Sequence, residues 1–283
     1  MRPLALLLLA ATTLSASPAF DAAVDLYKQR KDAEARAAFE SLRKAEPKNA
    51  EVPYYLGRLD LRAKKVDDAV EHFQAAIALD GSNSTYHLEL GGAYGNQAQT
   101  AGLLSKASLA SKARTEFEKA VALDPQSFEA QSALFQYYMQ APGFMGGGFD
   151  KALAQSEVLI KLDPIRGKNA KAGLLMREKK FDEAFAIFDE MLRANADDYA
   201  ALYGLGRMAA ESGQRLEAGL AHLQKCLTMT PPAGTPSHAA ANWRIGNIHE
   251  KKGDKAAARA AYQAALALDP KFQPAIDSLK KLG

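Results

Sequence analysis

Residues 50–83 read AEVPYYLGRLDLRAKKVDDAVEHFQAAIALDGSN, and this stretch decides the fold. Two amphipathic segments flank a polar turn at Lys64-Lys65-Val66-Asp67. In the second segment Ala69 and Phe73 stand four residues apart, about one helical turn, so a small and a large side chain share one face. That segment stops at Asp80-Gly81, a turn-forming pair. The first segment contains Leu56-Gly57. Glycine inside a helix costs about 1 kcal/mol relative to alanine, so its use there predicts close packing by a neighbouring helix. The stretch predicts a helical hairpin.

The same marks recur along the chain. Ala35 with Phe39, Ala113 with Phe117, Ala184 with Phe188 and Ala258 with Tyr262 repeat the small–aromatic pair. Leu90-Gly91 with Tyr94, Leu205-Gly206 and Ile245-Gly246 repeat the glycine signature. Asp124-Pro125, Asp163-Pro164 and Asp269-Pro270 repeat the helix stop, because proline cannot continue a helix and disfavours one at the residue before it. On these residues the chain resembles the tetratricopeptide-repeat family, whose unit of about 34 residues is a helix–turn–helix. The resemblance implies an all-α, right-handed α-solenoid of about seven hairpins with a C-terminal capping helix. The units fall at about 20–49, 50–83, 84–127, 128–164, 165–198, 199–238 and 239–272, with the cap at 273–283, in a single domain over 20–283.

Several units depart from the pattern. The third carries extra residues around Gln97 to Ser111, and the fourth does so in QAPGFMGGGFDKA. The sixth has a longer loop from Thr230 to Ser237. Ser156 stands where the fourth unit would carry a ring, and the fifth unit lacks the Leu-Gly pair. The two insertions suggest a platform with Leu103, Leu104, Leu109, Phe144 and Met145 as apolar contacts.

The beginning of the chain differs from the rest. Arg2, an apolar run from Leu4 to Leu14 and the small residues Ser15, Ala16, Ser17 and Ala19 have the layout of a secretory signal peptide. The expected leader is 1–19, cut after Ala19, with Ala16 as the other position. The run has about half the residues a membrane span needs. A periplasmic or secreted location follows as an expectation. Loss of the leader removes Arg2 and no acidic residue, lowering the formal charge of +3 by one. So even a balance argues against a global nucleic-acid footprint. The lone cysteine, Cys226, has no internal disulfide partner and lies among Leu220, Leu223 and Leu227 at helical spacing, as a small core residue does.

Stacked hairpins bury a continuous core and expose an extended surface. The family resemblance implies that the first helix of each unit lines that surface. The outward positions are Tyr54, Arg58, Arg62, Asn96, Gln136, Gln140, Asn169, Arg177, Tyr203, Arg207, Asn247 and Lys251, with Trp243 beside them read as packing between hairpins. Amides can bond an extended backbone, arginine can fork onto carboxylates, and tyrosine supplies rigid apolar area. The expected partner is a protein or peptide segment with some acidic character. Arg58 occupies the place where the carboxylate clamp of chaperone-binding relatives would carry its first Asn, so chaperone-tail binding is not implied.

Motifs that could carry chemistry are incomplete. Gly143-Phe144-Met145-Gly146-Gly147-Gly148 resembles the glycine half of a phosphate loop, but Phe149-Asp150 replaces the Lys-Ser/Thr. Ser41-Leu42-Arg43-Lys44 matches an acylating-serine pattern without its companion motifs. The five histidines lack zinc-ligand spacing. The reading is a non-catalytic interaction module of the bacterial envelope with no cofactor and no metal. The alternative is a small-ligand-binding protein or enzyme with its site in the groove or at loop 143–148.

Overall fold

The computed structural model describes residues 17–283, apart from the side chains of Leu103 and Leu104. Most of the expected leader lies outside the described residues. Among these, fifteen α-helices and one turn of 3-10 helix follow one another with no strand. Seven helical hairpins succeed each other: α1 (Pro18–Lys28) with α2 (Asp32–Ala45), α3 (Glu51–Arg62) with α4 (Val66–Leu79), α5 (Ser84–Thr100) with α6 (Leu103–Leu123), α7 (Phe128–Gln140) with α8 (Phe149–Leu162), α9 (Pro164–Arg177) with α10 (Phe181–Ala194), α11 (Tyr199–Ser212) with α12 (Leu216–Leu227), and α13 (His238–Lys251) with α14 (Lys255–Leu268). A last helix, α15 (Gln273–Leu282), follows. The chain forms two compact units that divide within α7, between Leu134 and Phe135.

In the first unit one core joins α1, α2 and α3 through Phe20, Phe39 and Leu56, and another joins α4, α5 and α6 through Phe73, Leu90 and Tyr94. The glycines explain how the helices approach. A Cβ on Gly57 would lie 2.7 Å from the Phe73 ring, and one on Gly91 would lie 2.6 Å from the Phe117 ring. In these two hairpins the ring of the small–aromatic pair on the second helix thus packs where the first helix carries no side chain. Asp60 is buried between α2 and α4, where Arg36 donates to Oδ1 at 2.6 Å and His72 Nδ1 lies 2.7 Å from Oδ2. A buried carboxylate is tolerated only with such partners.

Four turns within hairpins place a basic residue in the left-handed region: Arg215 (φ 50°) just ahead of α12 and, sharing one pattern, Arg30 (φ 63°), Lys64 (φ 59°) and Lys179 (φ 58°). The hydrogen bonds there run from Lys31 N to Leu26 O, Lys65 N to Asp60 O and Lys180 N to Leu175 O, which closes the spent helix in a Schellman motif. The extra residues of the third hairpin form no loop. They lengthen α5 and α6, leaving Ala101 and Gly102 as the turn.

In the second unit Phe185, Phe188 and Met208 build one core and Leu223, Cys226 and Ile248 another. Ser156, in the place of a ring, is fully buried and donates to Leu153 O at 2.6 Å. Asp163 both ends α8 and caps α9, accepting from the Ile165 and Arg166 amides at 3.1 and 2.9 Å. Against α13 and α14, α15 closes the row, with Ala275 buried beside Trp243, Phe272 and Leu279.

Candidate peptide-binding faces

In the first unit the sequence-predicted residues Tyr54, Arg58 and Arg62 succeed one another at four-residue intervals on α3, beside Tyr27 of α1 and Glu89 of α5. The Arg58 guanidinium stands 5.6 Å from the Tyr27 ring centroid and 5.7 Å from that of Tyr54. Its Nη1 donates to the Tyr54 hydroxyl at 2.9 Å. Glu89 approaches Arg58 Nε only to 3.7 Å, beyond hydrogen-bond reach. Burial pushes the Glu89 carboxyl up from its ordinary range, while Arg58 pulls the other way. Arg58 itself keeps 40% of its side chain exposed, so a cation held by two rings faces solvent. Arg62 differs. It lies 3.6 Å over the Tyr27 ring, and its Nη1 donates to Asp32 Oδ1 at 2.6 Å and Tyr27 O at 3.0 Å, which ties α3 to the first hairpin. Asn96 is exposed on α5.

In the second unit Gln136 and Gln140 are exposed on α7. Asn169 donates to Ile165 O at 2.9 Å within its own helix, and Arg177 donates to Met139 O at 2.5 Å. Tyr203 is a core residue, 9% exposed, and its neighbours explain why: Gly204 and Gly206 mark the buried side of α11. Arg207 is half-buried.

Asn247 and Lys251 come together at a shallow depression of about 450 Å³ between α11 and α13, lined also by Ala210, Glu211, Arg244 and Glu250. The Tyr262 hydroxyl lies between Asn247 Oδ1, at 2.8 Å, and the Glu250 carboxylate, and its single proton serves one of them at a time. Arg244 Nη2 meets Glu211 at 3.0 Å, and its guanidinium lies 4.2 Å over the Trp243 ring. Trp243 is a packing residue: its Nε1–H donates to Ser278 Oγ at 3.0 Å and its ring meets Phe272 edge-on. Arg244 is not among the sequence-predicted residues, because its ion pair with Glu211 joins positions far apart in the chain. Its spacing of three to Asn247 and seven to Lys251, which puts all three on one helix face, was the signal available.

The glycine loop is fully engaged with itself. The Gly146, Gly147 and Gly148 amides donate to Gly143 O, Pro142 O and Tyr138 O at 2.9, 3.2 and 2.8 Å, leaving these amides nothing to offer a phosphate. The Tyr137 hydroxyl and Lys151 Nζ bind the Met145 and Gly146 carbonyls at 2.7 and 2.9 Å, while Phe144 is 88% exposed at the tip. Met145 is half-buried, and Leu109 packs on the first unit's α4–α6 core. Cys226 is fully buried, and burial pushes its thiol up to about 11, far from a reactive thiolate. No group of His, Cys, Asp and Glu that could hold a metal occurs among the described residues. No described helix is long and apolar enough to cross a membrane.

Residues 20–94 and 169–234 match one tetratricopeptide-repeat family profile and residues 239–272 another. Cellulose synthase operon protein C of Pseudomonas fluorescens (strain SBW25) is 34% identical over 108 residues, which is 36% of this chain and 8% of that protein. The chain therefore spans under a tenth of that relative's length. Among solved structures, a tetratricopeptide repeat protein from Parabacteroides merdae ATCC 43184 is similar with a TM-score of 0.64 at 16% identity, covering 93% of this chain and 97% of that one. The C-terminal part of a TPR repeat-containing protein from Cytophaga hutchinsonii gives 0.55 at 20% identity, covering 92% and 99%. Those two likenesses speak to the fold alone. By its repeat matches and its all-α hairpin structure, the chain belongs to the tetratricopeptide-repeat family, the α-solenoid class.

Proposed function

We propose that this protein is a non-catalytic interaction module of the bacterial cell envelope, which binds a polypeptide segment on the first-helix faces of its hairpins. The family's fold serves protein–protein interaction in general, since stacked hairpins expose extended surface. The observation that carries the reading for this chain is Arg58. Its guanidinium is positioned by Tyr27 and Tyr54, half-exposed, and faces an anion too distant to hydrogen-bond. Such a group has a fixed geometry and unspent donors, which suits an acceptor on a partner segment. Asn96, Gln136 and Gln140, exposed on other first helices, add amides that can bond an extended backbone.

The envelope location rests on the first residues acting as a cleaved leader, for which the sequence offers a cut after Ala19 or after Ala16. Ser17 supports the cut after Ala16 over the cut after Ala19. Its Oγ accepts from the Phe20 amide at 3.2 Å, donates to Glu46 and caps α1, with Pro18 in the first turn. A cut after Ala19 would remove the cap and Pro18 together. The binding reading is tested by selecting displayed peptides on the purified protein and comparing their affinity for wild type and Arg58→Glu.

A further inference from the structure

The third hairpin ends unlike the other two of the first unit. Asp32 opens α2 three residues before Ala35 and Val66 opens α4 three before Ala69, whereas Leu103 opens α6 ten before Ala113. The added residues make about two turns, or roughly 10 Å of helix. Likewise α5 runs nine residues past Gly91, where α3 runs five past Gly57. Gln97 marks the level of the neighbouring hairpin, since its Nε2 donates to Asp67 Oδ1 at 2.6 Å, in the first turn of α4. The turn at Ala101-Gly102 and the opening of α6 project beyond that level.

The charge of this end is one-sided. Acidic residues stand in the first turns of α2 (Asp32, Glu34) and α4 (Asp67, Asp68), but α6 has none there and no side-chain cap on its amides. Between Glu89 and Glu116 the chain carries Lys106, Lys112 and Arg114 and no acidic residue. Arg114 is paired with Glu118 at 3.5 Å. Lys106 and Lys112 are exposed and make no ion pair among the described residues, and Lys112 lies 5.4 Å over the Tyr94 ring. On the neighbouring hairpin, Asp67 and Asp68 are matched by exposed Lys64 and Lys65 of the same turn. The tip itself reads Ala101-Gly102-Leu103-Leu104.

We propose that the end of the third hairpin docks on an anionic lipid surface, with the tip at 101–104 entering the headgroup layer and Lys106 and Lys112 meeting lipid phosphates. An apolar tip backed by unpaired cations, with the positive end of a helix dipole at the same place, is what a negatively charged bilayer attracts. A flat surface suits the shape, because the end is a projection whose exposed side chains are small, as at Ser105, Ala107 and Ser108, and include no ring. No described helix can cross a bilayer, so the contact is peripheral. Two lysines and two leucines give reversible docking rather than a permanent anchor. The inference uses none of the first-helix face residues and stands apart from the peptide-binding reading.

The test uses the protein beginning at Ser17, so that the apolar run from Leu4 to Leu14 cannot itself bind lipid. It is mixed with vesicles of phosphatidylcholine alone or with about one third phosphatidylglycerol, and the bound fraction is read by flotation. Anionic vesicles are expected to carry the protein and neutral ones to leave it behind, with binding lost as salt rises to about 0.5 M. Lys106→Gln weakens binding by about fivefold, and the pair Lys106→Gln with Lys112→Gln by about twentyfold. Leu103→Ser with Leu104→Ser weakens it by about tenfold, with helicity checked. Exposed Lys106 supplies a variant free of core packing. Lys161→Gln, an exposed lysine of α8 in the second unit, leaves binding unchanged. Equal binding to both kinds of vesicle, binding to neither, or a loss in Lys161→Gln as large as in Lys106→Gln overturns the proposal. Tip variants that weaken selected peptides while vesicles bind nothing overturn the assigned partner and make it a polypeptide.

Discussion

Arg62 lies 3.6 Å above the ring of Tyr27 and donates to that residue's own carbonyl oxygen at 3.0 Å. With Asp32 accepting at 2.6 Å, one side chain of α3 braces both helices of the first hairpin. Charged hydrogen bonds and a stacked cation together contribute on the order of 2 kcal/mol. Arg62→Gln is expected to lower stability by about that amount in chemical denaturation while leaving the affinity of selected peptides within about twofold. A large affinity loss with unchanged stability would return Arg62 to the binding face.

Gly57 and Gly92 separate close packing from helix propensity. A Cβ at Gly57 would sit 2.7 Å from the Phe73 ring, whereas one at Gly92 would meet no atom within 4 Å. Overpacking costs about 1–3 kcal/mol and the helix gains about 1 kcal/mol from alanine. Gly92→Ala should therefore raise the unfolding midpoint and Gly57→Ala should lower it. The same sign for both would show that the ring moves aside.

Glu89 gives the first unit a pH signature. Burial raises its folded pKa above the unfolded value, opposed by Arg58, so its contribution is most favourable at acid pH and declines as pH rises through the folded value. Glu89→Gln should stabilise the protein at pH 7, and the gain should shrink as pH falls through the raised folded value to the ordinary glutamate range, below which it no longer changes. A gain independent of pH in denaturation series would refute this account of Glu89.

The leader reading makes a mass prediction. Expressed with its own first residues in a bacterium that exports it, the protein should be recovered from the periplasm beginning at Ser17. Intact mass measures this directly. A product beginning at Phe20 would show that the Ser17 cap does not govern the cut, and an uncleaved product would remove the leader altogether.

How far the sequence reached depended on the range of the interactions involved. The hairpins were legible because Ala69 with Phe73, or Gly246 facing Tyr262, are marks that recur at one place in several repeats. The third hairpin's extra residues were not legible as helix from spacing. They carry no Pro or Asp-Gly stop, and the alanines and leucines among them simply extend α5 and α6. On the candidate faces, helical spacing placed Arg58 and Arg62 together but could not see the Tyr27 carbonyl and Asp32, some thirty residues upstream, that occupy Arg62. Tyr203 was misjudged for a related reason, since α11 is buried over most of its circumference. Arg244 was passed over because its role depends on Glu211 from the preceding hairpin.

The most direct test of the central claim is the affinity of display-selected peptides, by calorimetry, for the wild-type protein and for Arg58→Glu. The account predicts enrichment of a peptide family whose binding weakens by about tenfold or more on reversal of that charge, with helicity retained. Failure to enrich any peptide, or equal affinity for both proteins, would contradict it.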